Sequence, residues 1–279
     1  MNRPLIKEYS FSGEEYDELR RIIGDRVGIA LSDGKRDLVY SRVSRRLRAR
    51  GLSSFAEYLA LLRRGDEEEL AELVNAMTTN VTQFFREAHH FEYLMSRMLP
   101  EVIGEGSRDK VIRIWSAGCS SGEEPYSIAI VLAEFLDRHP GWKGEVWATD
   151  VDGAILRQAE EGVYSIDRLK QVSRDRLRRF FLKGSGPNEG KARVGKTLRD
   201  LVQFERVNLI EKWPVRNRFD AIFCRNVIIY FDRSHKGQVV EGFSEHLRPV
   251  GHLFLGHSES LHGLTNRYRL IGQTIYRLR

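Results

Sequence analysis

The sequence predicts an α/β protein: a doubly wound, mostly parallel sheet with a small β-rich insertion, preceded by a small all-α domain. Three observations predict it. After residue 110, strand-like runs alternate with apolar helical stretches, the rhythm of a parallel sheet covered on both faces. From residue 12 to about 97, short apolar stripes at helical spacing recur between glycines, and strand signals are nearly absent. Residues 162–206 interrupt the alternation with a charged helical piece (SRDRLRRFF), GSGPNEG, and short polar alternating runs such as KARVG and LVQFERV.

In chain order, residues 1–97 read as the helical domain and 98–110 (MLPEVIGEGSRDK), mixing Pro, Gly and charge, as a linker. Residues 111–279 then form the α/β domain. Its predicted elements are a strand at 111–115 (VIRIW), a helix at 128–136, a strand at 145–149 (EVWAT) and a short helix at 151–161. After the insertion come a strand at 219–224 (FDAIFC), a helix at 234–247 and a strand at 252–255 (HLFL). Two alternating runs around Gly272, within 267–278, predict an antiparallel hairpin closing the sheet.

Composition narrows the class. In 279 residues, 41% are hydrophobic and 10% aromatic, enough buried surface to offset chain entropy, which excludes disorder as the main state. No apolar run approaches the roughly 20 residues of a membrane span, and residues 1–10 lack a hydrophobic signal core. Cys119 and Cys224 are the only cysteines and lack CxxC spacing, so a reducing cytoplasm is expected. A net charge of +6 permits an acidic partner, either nucleic acid or a protein surface.

The chemistry-bearing segments lie at strand ends. The first strand runs into 116–125 (SAGCSSGEEP), whose small side chains admit a ligand to the backbone where open α/β sheets bind nucleotide-like molecules. The GxGxxG order is missing, and Glu123 and Glu124 stand where a pyrophosphate would meet the helix N-terminus. Two carboxylates repel an anion and welcome a sulfonium, an amine or ribose hydroxyls, although they also complement the helix dipole with no ligand at all. The pattern argues against NAD and for a cationic adenosine cofactor. Asp150 closes the second strand in WATD, suited to accept hydrogen bonds from both ribose hydroxyls, though a strand-terminal Asp also serves in turns. In CRNVIIYF, Asn226 offers a donor and an acceptor to an adenine edge or an amino-acid moiety, and Tyr230 brings a hydroxyl to the same rim.

Other segments are weaker. Residues 190–197 (GKARVGKT) satisfy the phosphate-loop pattern GxxxxGK[ST], but no buried strand precedes them and no apolar helix follows, so the match reads as chance. In 37–50, Val39, Tyr40, Val43 and Leu47 gather on one helical face, and Arg42, Arg45, Arg46 and Arg48 cover the other, with Gly51 at the C-cap position. Four arginines without an acid among them fit either a solvated face or docking to an acidic partner. In 78–87 (TTNVTQFFRE), Arg86 follows two phenylalanines, predicting a cation beside an aromatic cluster at a buried helix-to-loop junction. His89 and His90 are adjacent and His252, His257 and His262 are five apart, sharing no face, so no metal site is expected.

In this order, TTNVTQFFRE, WSAGCSSGEEPYS, WATDVD, FDAIFCRNVIIYF and GHSES closely resemble the chemotaxis receptor methyltransferases of the CheR type. The resemblance spans essentially the whole chain and departs slightly at Gly118 and Cys119, which leaves open a redox role for Cys119. It implies a protein-glutamate O-methyltransferase that uses S-adenosylmethionine and releases S-adenosylhomocysteine. It also implies an N-terminal helical domain, a class I methyltransferase-like domain and an inserted antiparallel β-subdomain. The implied cofactor contacts are Asn80, Thr82, Arg86, Glu124, Asp150, Asn208, Leu209, Asn226 and Val227. Arg86 would steer a carboxylate, and Tyr230 would shape the transfer site. The implied partners are cytoplasmic signalling domains of chemoreceptors, with Arg42, Arg46 and Arg48 docking on their acidic helical bundles. Residues 184–190 resemble the glycine-bearing loop with which some members bind a receptor C-terminal pentapeptide by edge-strand addition. A monomer is expected, with no nucleic acid partner and no membrane insertion.

The implied chemistry is physically coherent. A glutamate carboxyl, with a pKa near ~4.3, is ionised at neutral pH and needs no general base to attack a sulfonium methyl, so positioning dominates. A nucleic-acid methyltransferase is the rival reading, since it would explain the charge and the fold. Base-amino transfer, however, usually shows a [DN]PP[YF]-like turn after the fourth strand, and here VIIY follows Asn226.

Overall fold

The computed structural model describes residues 8–106, 109–215 and 217–279. They fall into two units, one ending at Thr79 and the other running from Asn80 to Arg279.

The first unit holds four helices: α1 (Gly13–Val27), α2 (Arg36–Arg50), α3 (Phe55–Arg63) and α4 (Glu67–Met77). Ser12 caps α1 through a reciprocal box with Glu15, and Ser54 and Asp66 cap α3 and α4. Gly51 ends α2 at φ +64°, the left-handed conformation its position predicts. The expected apolar stripe of α2 is present, with Val39, Val43 and Leu47 buried and Tyr40 half-buried.

The second unit begins with a loop and then α5 (His89–Tyr93), which continues through a π-turn, Leu94–Met98, into α6 (Leu99–Glu105). Next come β1 (Val111–Ala117), α7 (Glu123–Leu136), β2 (Lys143–Asp150) and α8 (Gly153–Glu161). A smaller sheet uses β3 (Val163–Ser165), β4 (Phe181–Lys183) after α9 (Arg174–Phe180), and β5 (Lys191–Val194). The chain then passes through α10 (Lys196–Arg199), β6 (Val202–Arg206), β7 (Phe219–Cys224), α11 (Arg233–His246), β8 (Leu247–Leu255), β9 (Tyr268–Leu270) and β10 (Ile275–Leu278).

The main sheet has the order β6-β2-β1-β7-β8-β10-β9, with β10 alone reversed against its neighbours. Alternation along β1 and β7 explains the two covered faces. Ile112, Ile114, Ala221 and Phe223 pack with Ile128, Val131 and Phe135 of α7, while Trp115, Ala117, Ile222 and Cys224 pack with Val239, Val240 and Phe243 of α11. From β1 the chain builds outward through β2 to β6, then crosses to β7 on the other side of β1. The order therefore reverses between β1 and β7, the switch point at whose carboxyl ends open α/β sheets form their ligand crevice.

Two expected boundaries are corrected. Residues 98–110 are not a linker: α6 occupies most of the segment, and Met98 and Leu99 are fully buried in the core beside α7. Pro100 reads as a break in sequence, but it follows directly on the π-turn 94–98, where the regular hydrogen-bond ladder is already interrupted and a missing amide donor is accommodated. The units accordingly divide at Thr79, not at residue 97. The insertion also ends before 206, because β6 pairs in parallel with β2 as the edge of the main sheet. Its alternating LVQFERV has the same period as a strand of the small antiparallel sheet, β3-β5-β4. No helix among the described residues is long and apolar enough to cross a membrane.

Candidate active site

The crevice between β1 and β7 is shaped by close backbone approach. Gly118, at φ +80°, follows β1, and a Cβ there would lie 2.4 Å from Cγ2 of Val227. Across it, Asn226 also has a positive φ, +59°, a conformation that costs a non-glycine residue about 1 kcal/mol or more. Glu259 holds it. This buried carboxylate accepts the amides of Asn226 at 2.8 Å, Val227 at 2.9 Å, Ile229 at 3.1 Å and Gly256 at 2.7 Å. The Asn226 side-chain oxygen is buried there without a hydrogen-bond partner.

The opposite wall is a polar network. Asp150 accepts the Ser120 amide on Oδ2 at 2.8 Å and the Asp152 amide on Oδ1 at 3.0 Å. Burial pushes its carboxyl up, and those amides pull it back down. Asn80 donates to Asp152 Oδ2 at 2.9 Å and receives the Ser120 hydroxyl at 3.4 Å. The Val207 amide reaches the Asp150 carbonyl at 3.0 Å, so the chain enters Asn208 and Leu209 beside this wall. Asn208 donates to Glu211 at 2.9 Å, and Leu209 is buried with Trp115.

The two glutamates at the start of α7 diverge. Glu124 accepts the Ser116 hydroxyl at 2.7 Å and pairs with Arg225 at 3.1 Å, while burial pushes its carboxyl up. Glu123 turns to Ser121 and to an ion pair with Arg168 from the segment after β3. Both complement the dipole. Arg225 is almost fully buried, bonds the Arg86 carbonyl, and lies 5.7 Å over Phe91. It ties the 80–87 loop to the end of β7.

That loop is anchored by Phe84, buried against Tyr164 and Phe181, and by the Phe85 amide on the Ser127 hydroxyl at 3.0 Å. As expected, residues 78–87 take the chain from a helix into a loop, beginning at Thr78, the C-cap of α4. The cation over Phe85 is Arg176, at 4.6 Å, rather than Arg86, whose guanidinium folds back onto the Val81 carbonyl at 3.0 Å. Thr82 is half-buried on the same loop, and Tyr230 sits exposed on the turn after β7.

Comparison with known proteins agrees. A family model described as "CheR methyltransferase, SAM binding domain" matches residues 80–277, and one described as "CheR methyltransferase, all-alpha domain" matches 14–78. The chain belongs to the CheR methyltransferase family. It is similar to the chemotaxis protein methyltransferase of Salmonella typhimurium, at 44% identity over 98% of this chain and 93% of the relative. It is also similar to chemotaxis protein methyltransferase 2 of Pseudomonas aeruginosa, at 45% over 97% and 95%, and to the Escherichia coli protein, at 43% over 98% and 94%. Its activity is S-adenosylmethionine-dependent methyl transfer in chemotaxis, and the nucleic-acid rival finds no support.

The crevice of this CheR chain fits the cofactor. The orphaned Asn226 oxygen awaits a donor, and each Asp150 oxygen keeps a lone pair beyond its amide bond, matching an amine and ribose hydroxyls. Asp150, Asp152, Glu124 and Glu259 outnumber Arg225 around it, which favours a positively charged ligand.

Two of the arginines expected to dock already have partners within the helical unit. Arg46 is held by Glu69, which is fully buried, at 2.8 Å and by Glu72 at 3.0 Å. Arg42 donates to the carbonyls of Met77 at 2.6 Å and Thr78 at 3.0 Å, closing the end of α4. Their partners lie on α4, more than twenty residues away in sequence, so the wheel of α2 alone could not show them. Arg48 remains 57% exposed, with Glu8 at 3.7 Å.

Sequence reasoning missed Arg225 and Glu259 as organisers. An arginine directly after an apolar strand is a readable signal, since a buried arginine must be paired. The GKARVGKT match does not form a phosphate loop, because Lys191–Val194 is itself β5, and Lys196 pairs with Asp200 at 2.6 Å. His89 and His90, expected to form no constellation, converge with Glu87.

Proposed function

We propose that this protein transfers the methyl group of S-adenosylmethionine to glutamate side-chain carboxylates in the cytoplasmic signalling domains of chemoreceptors, giving methyl esters. The observation that supports it is the acid-lined crevice at the β1/β7 switch point, with the unpartnered Asn226 oxygen on one wall and Asp150 on the other. The bound cofactor supplies an electrophilic methyl on a sulfonium. Asp150 and Asn80 hold the sugar side, Asn226 and Val227 the base side, and Asn208 and Leu209 close the rim beyond β6. Glu124 and Arg225 fix the loop that carries Arg86.

Arg86 and Tyr230 act at the transfer site. In this reading Arg86 swings from the Val81 carbonyl to meet a carboxylate, and Tyr230 packs beside the incoming side chain. Holding the nucleophile in line supplies on the order of 7 to 11 kcal/mol without any general base. Arg48 carries the docking charge on α2.

The β-subdomain offers β4 as an edge strand, with Leu182 exposed, to a receptor C-terminal pentapeptide. The enzyme works as a cytoplasmic monomer.

Tritiated-methyl transfer to purified receptor signalling domains tests the reading. Label that mild base releases as volatile methanol marks a carboxyl ester. Base-stable label, or none, overturns it. Titration with receptor tail peptides tests the edge-strand site, where absence of heat change removes tethering.

A further inference from the structure

Beside the crevice, but not part of it, three side chains converge. Glu87, His89 and His90 each bring a ligand atom within 4.8 Å of the others. Glu87 Oε2, His89 Nε2 and His90 Nδ1 are all buried and lack hydrogen-bond partners, and His90 is completely buried. Three buried polar atoms without a hydrogen bond in one place are unusual, since buried polar atoms are nearly always satisfied, and Glu87 Oε2 has only an ion pair with Arg225.

The surroundings of these atoms are those of metal ligands. His90 Nε2 faces the Gln273 carbonyl at 3.1 Å and the Thr274 hydroxyl at 3.2 Å. A carbonyl can only accept, so the proton sits on Nε2 and the Nδ1 lone pair is free, as in metal-bound histidines fixed by an outer acceptor. The second oxygen of Glu87 is oriented by His257, whose Nδ1 lies 3.0 Å away and whose amide lies 3.3 Å away. Glu87 Oε2 and His90 Nδ1 are 3.6 Å apart. Bonds of about 2.1 Å in a tetrahedral site put ligand atoms roughly 3.4 Å from one another, so this pair needs little movement.

Arg225 stands 3.4 Å from Glu87 Oε2 and 3.1 Å from Glu124, so two carboxylates face one guanidinium and leave net negative charge for a cation. We propose that Glu87, His89 and His90 bind one divalent transition-metal ion of the zinc or cobalt class, with an outer position left to water. Two imidazoles and one carboxylate select that class over magnesium or calcium, which prefer all-oxygen shells.

The test uses untagged full-length protein, stripped with chelator and titrated with Co²⁺. The expected result is saturation at one equivalent, with a visible ligand-field band that Zn²⁺ abolishes. His89→Ala and Glu87→Gln, checked for folding by circular dichroism, each weaken Co²⁺ binding at least tenfold, while His262→Ala binds as the parent does. Non-saturable uptake, or unchanged affinity in His89→Ala, overturns the proposal. Should Glu87→Gln fail to fold, His89→Ala decides alone.

Discussion

The carboxylate of Glu259 accepts the backbone amide of Asn226 at 2.8 Å, across 33 residues of sequence, and thereby holds a non-glycine residue at positive φ on the cofactor wall. Each Glu259 oxygen accepts two amides, Asn226 and Gly256 on one, Val227 and Ile229 on the other. Glu259→Gln keeps one acceptor but turns an amide donor toward two buried donors. We predict a loss of about 2 to 4 kcal/mol of stability and at least tenfold weaker S-adenosylhomocysteine binding. Urea melts and calorimetry check this, and parental affinity in a folded variant would contradict it.

Gly118 is predicted to be irreplaceable for two separable reasons. A Cβ at this residue would sit 2.4 Å from Val227 Cγ2, and φ +80° strains any L side chain. Gly118→Ala therefore costs about 1 to 3 kcal/mol and lowers cofactor affinity more than tenfold. Adding Val227→Ala removes the clash but not the strain, so the double variant recovers only part of the loss. Full recovery, or none, in the two-variant cycle would refute the division.

The fold was legible because its signals are local. FDAIFC reads as a buried strand and is β7 over the same six residues, and the hairpin around Gly272 forms as the alternation implies. Asp150 and Asn226 were legible as polar residues at or just after strand ends, whereas Asn80, in the loop after α4, was named only through the family resemblance. The remainder depends on contacts that no local period encodes. Glu69 neutralises Arg46 from another helix, and Glu259 organises β7's end from beyond β8. Residues 98–110 looked like a linker because Pro and Gly punctuate them, although Met98 and Leu99 belong to the core.

His252 sets a pH dependence of stability. Burial pushes its imidazole down to about 4, Glu101 opposing and Arg277 reinforcing, and it lies 3.2 Å from the Tyr93 hydroxyl. In the unfolded chain it titrates near ~6.5. Between these values the unfolded state binds the extra proton, so stability rises with pH there. The contribution is complete above about pH 6.5 and lost as pH falls toward 4, amounting to about 3 kcal/mol. His252→Phe should flatten the slope of unfolding free energy across that window; an unchanged slope would assign the dependence elsewhere.

Arg46 and Arg48, two residues apart on α2, are predicted to fail differently. Removing Arg46 leaves the fully buried Glu69 carboxylate with only the Tyr58 hydroxyl, the Asp66-capped turn and a longer Arg50 contact at 3.5 Å around it. Breaking a buried pair from one side costs roughly 3 to 5 kcal/mol, so Arg46→Ala should lower the melting temperature of the helical unit and reduce methylation only as a consequence. Arg48 has an exposed pair at 3.7 Å, worth about 0 to 1 kcal/mol, so Arg48→Ala keeps stability. If α2 docks on an acidic receptor bundle, Arg48→Glu raises KM for receptor, most strongly at low salt, with S-adenosylhomocysteine affinity unchanged. A parental KM for Arg48→Glu at low ionic strength would move the docking surface off α2.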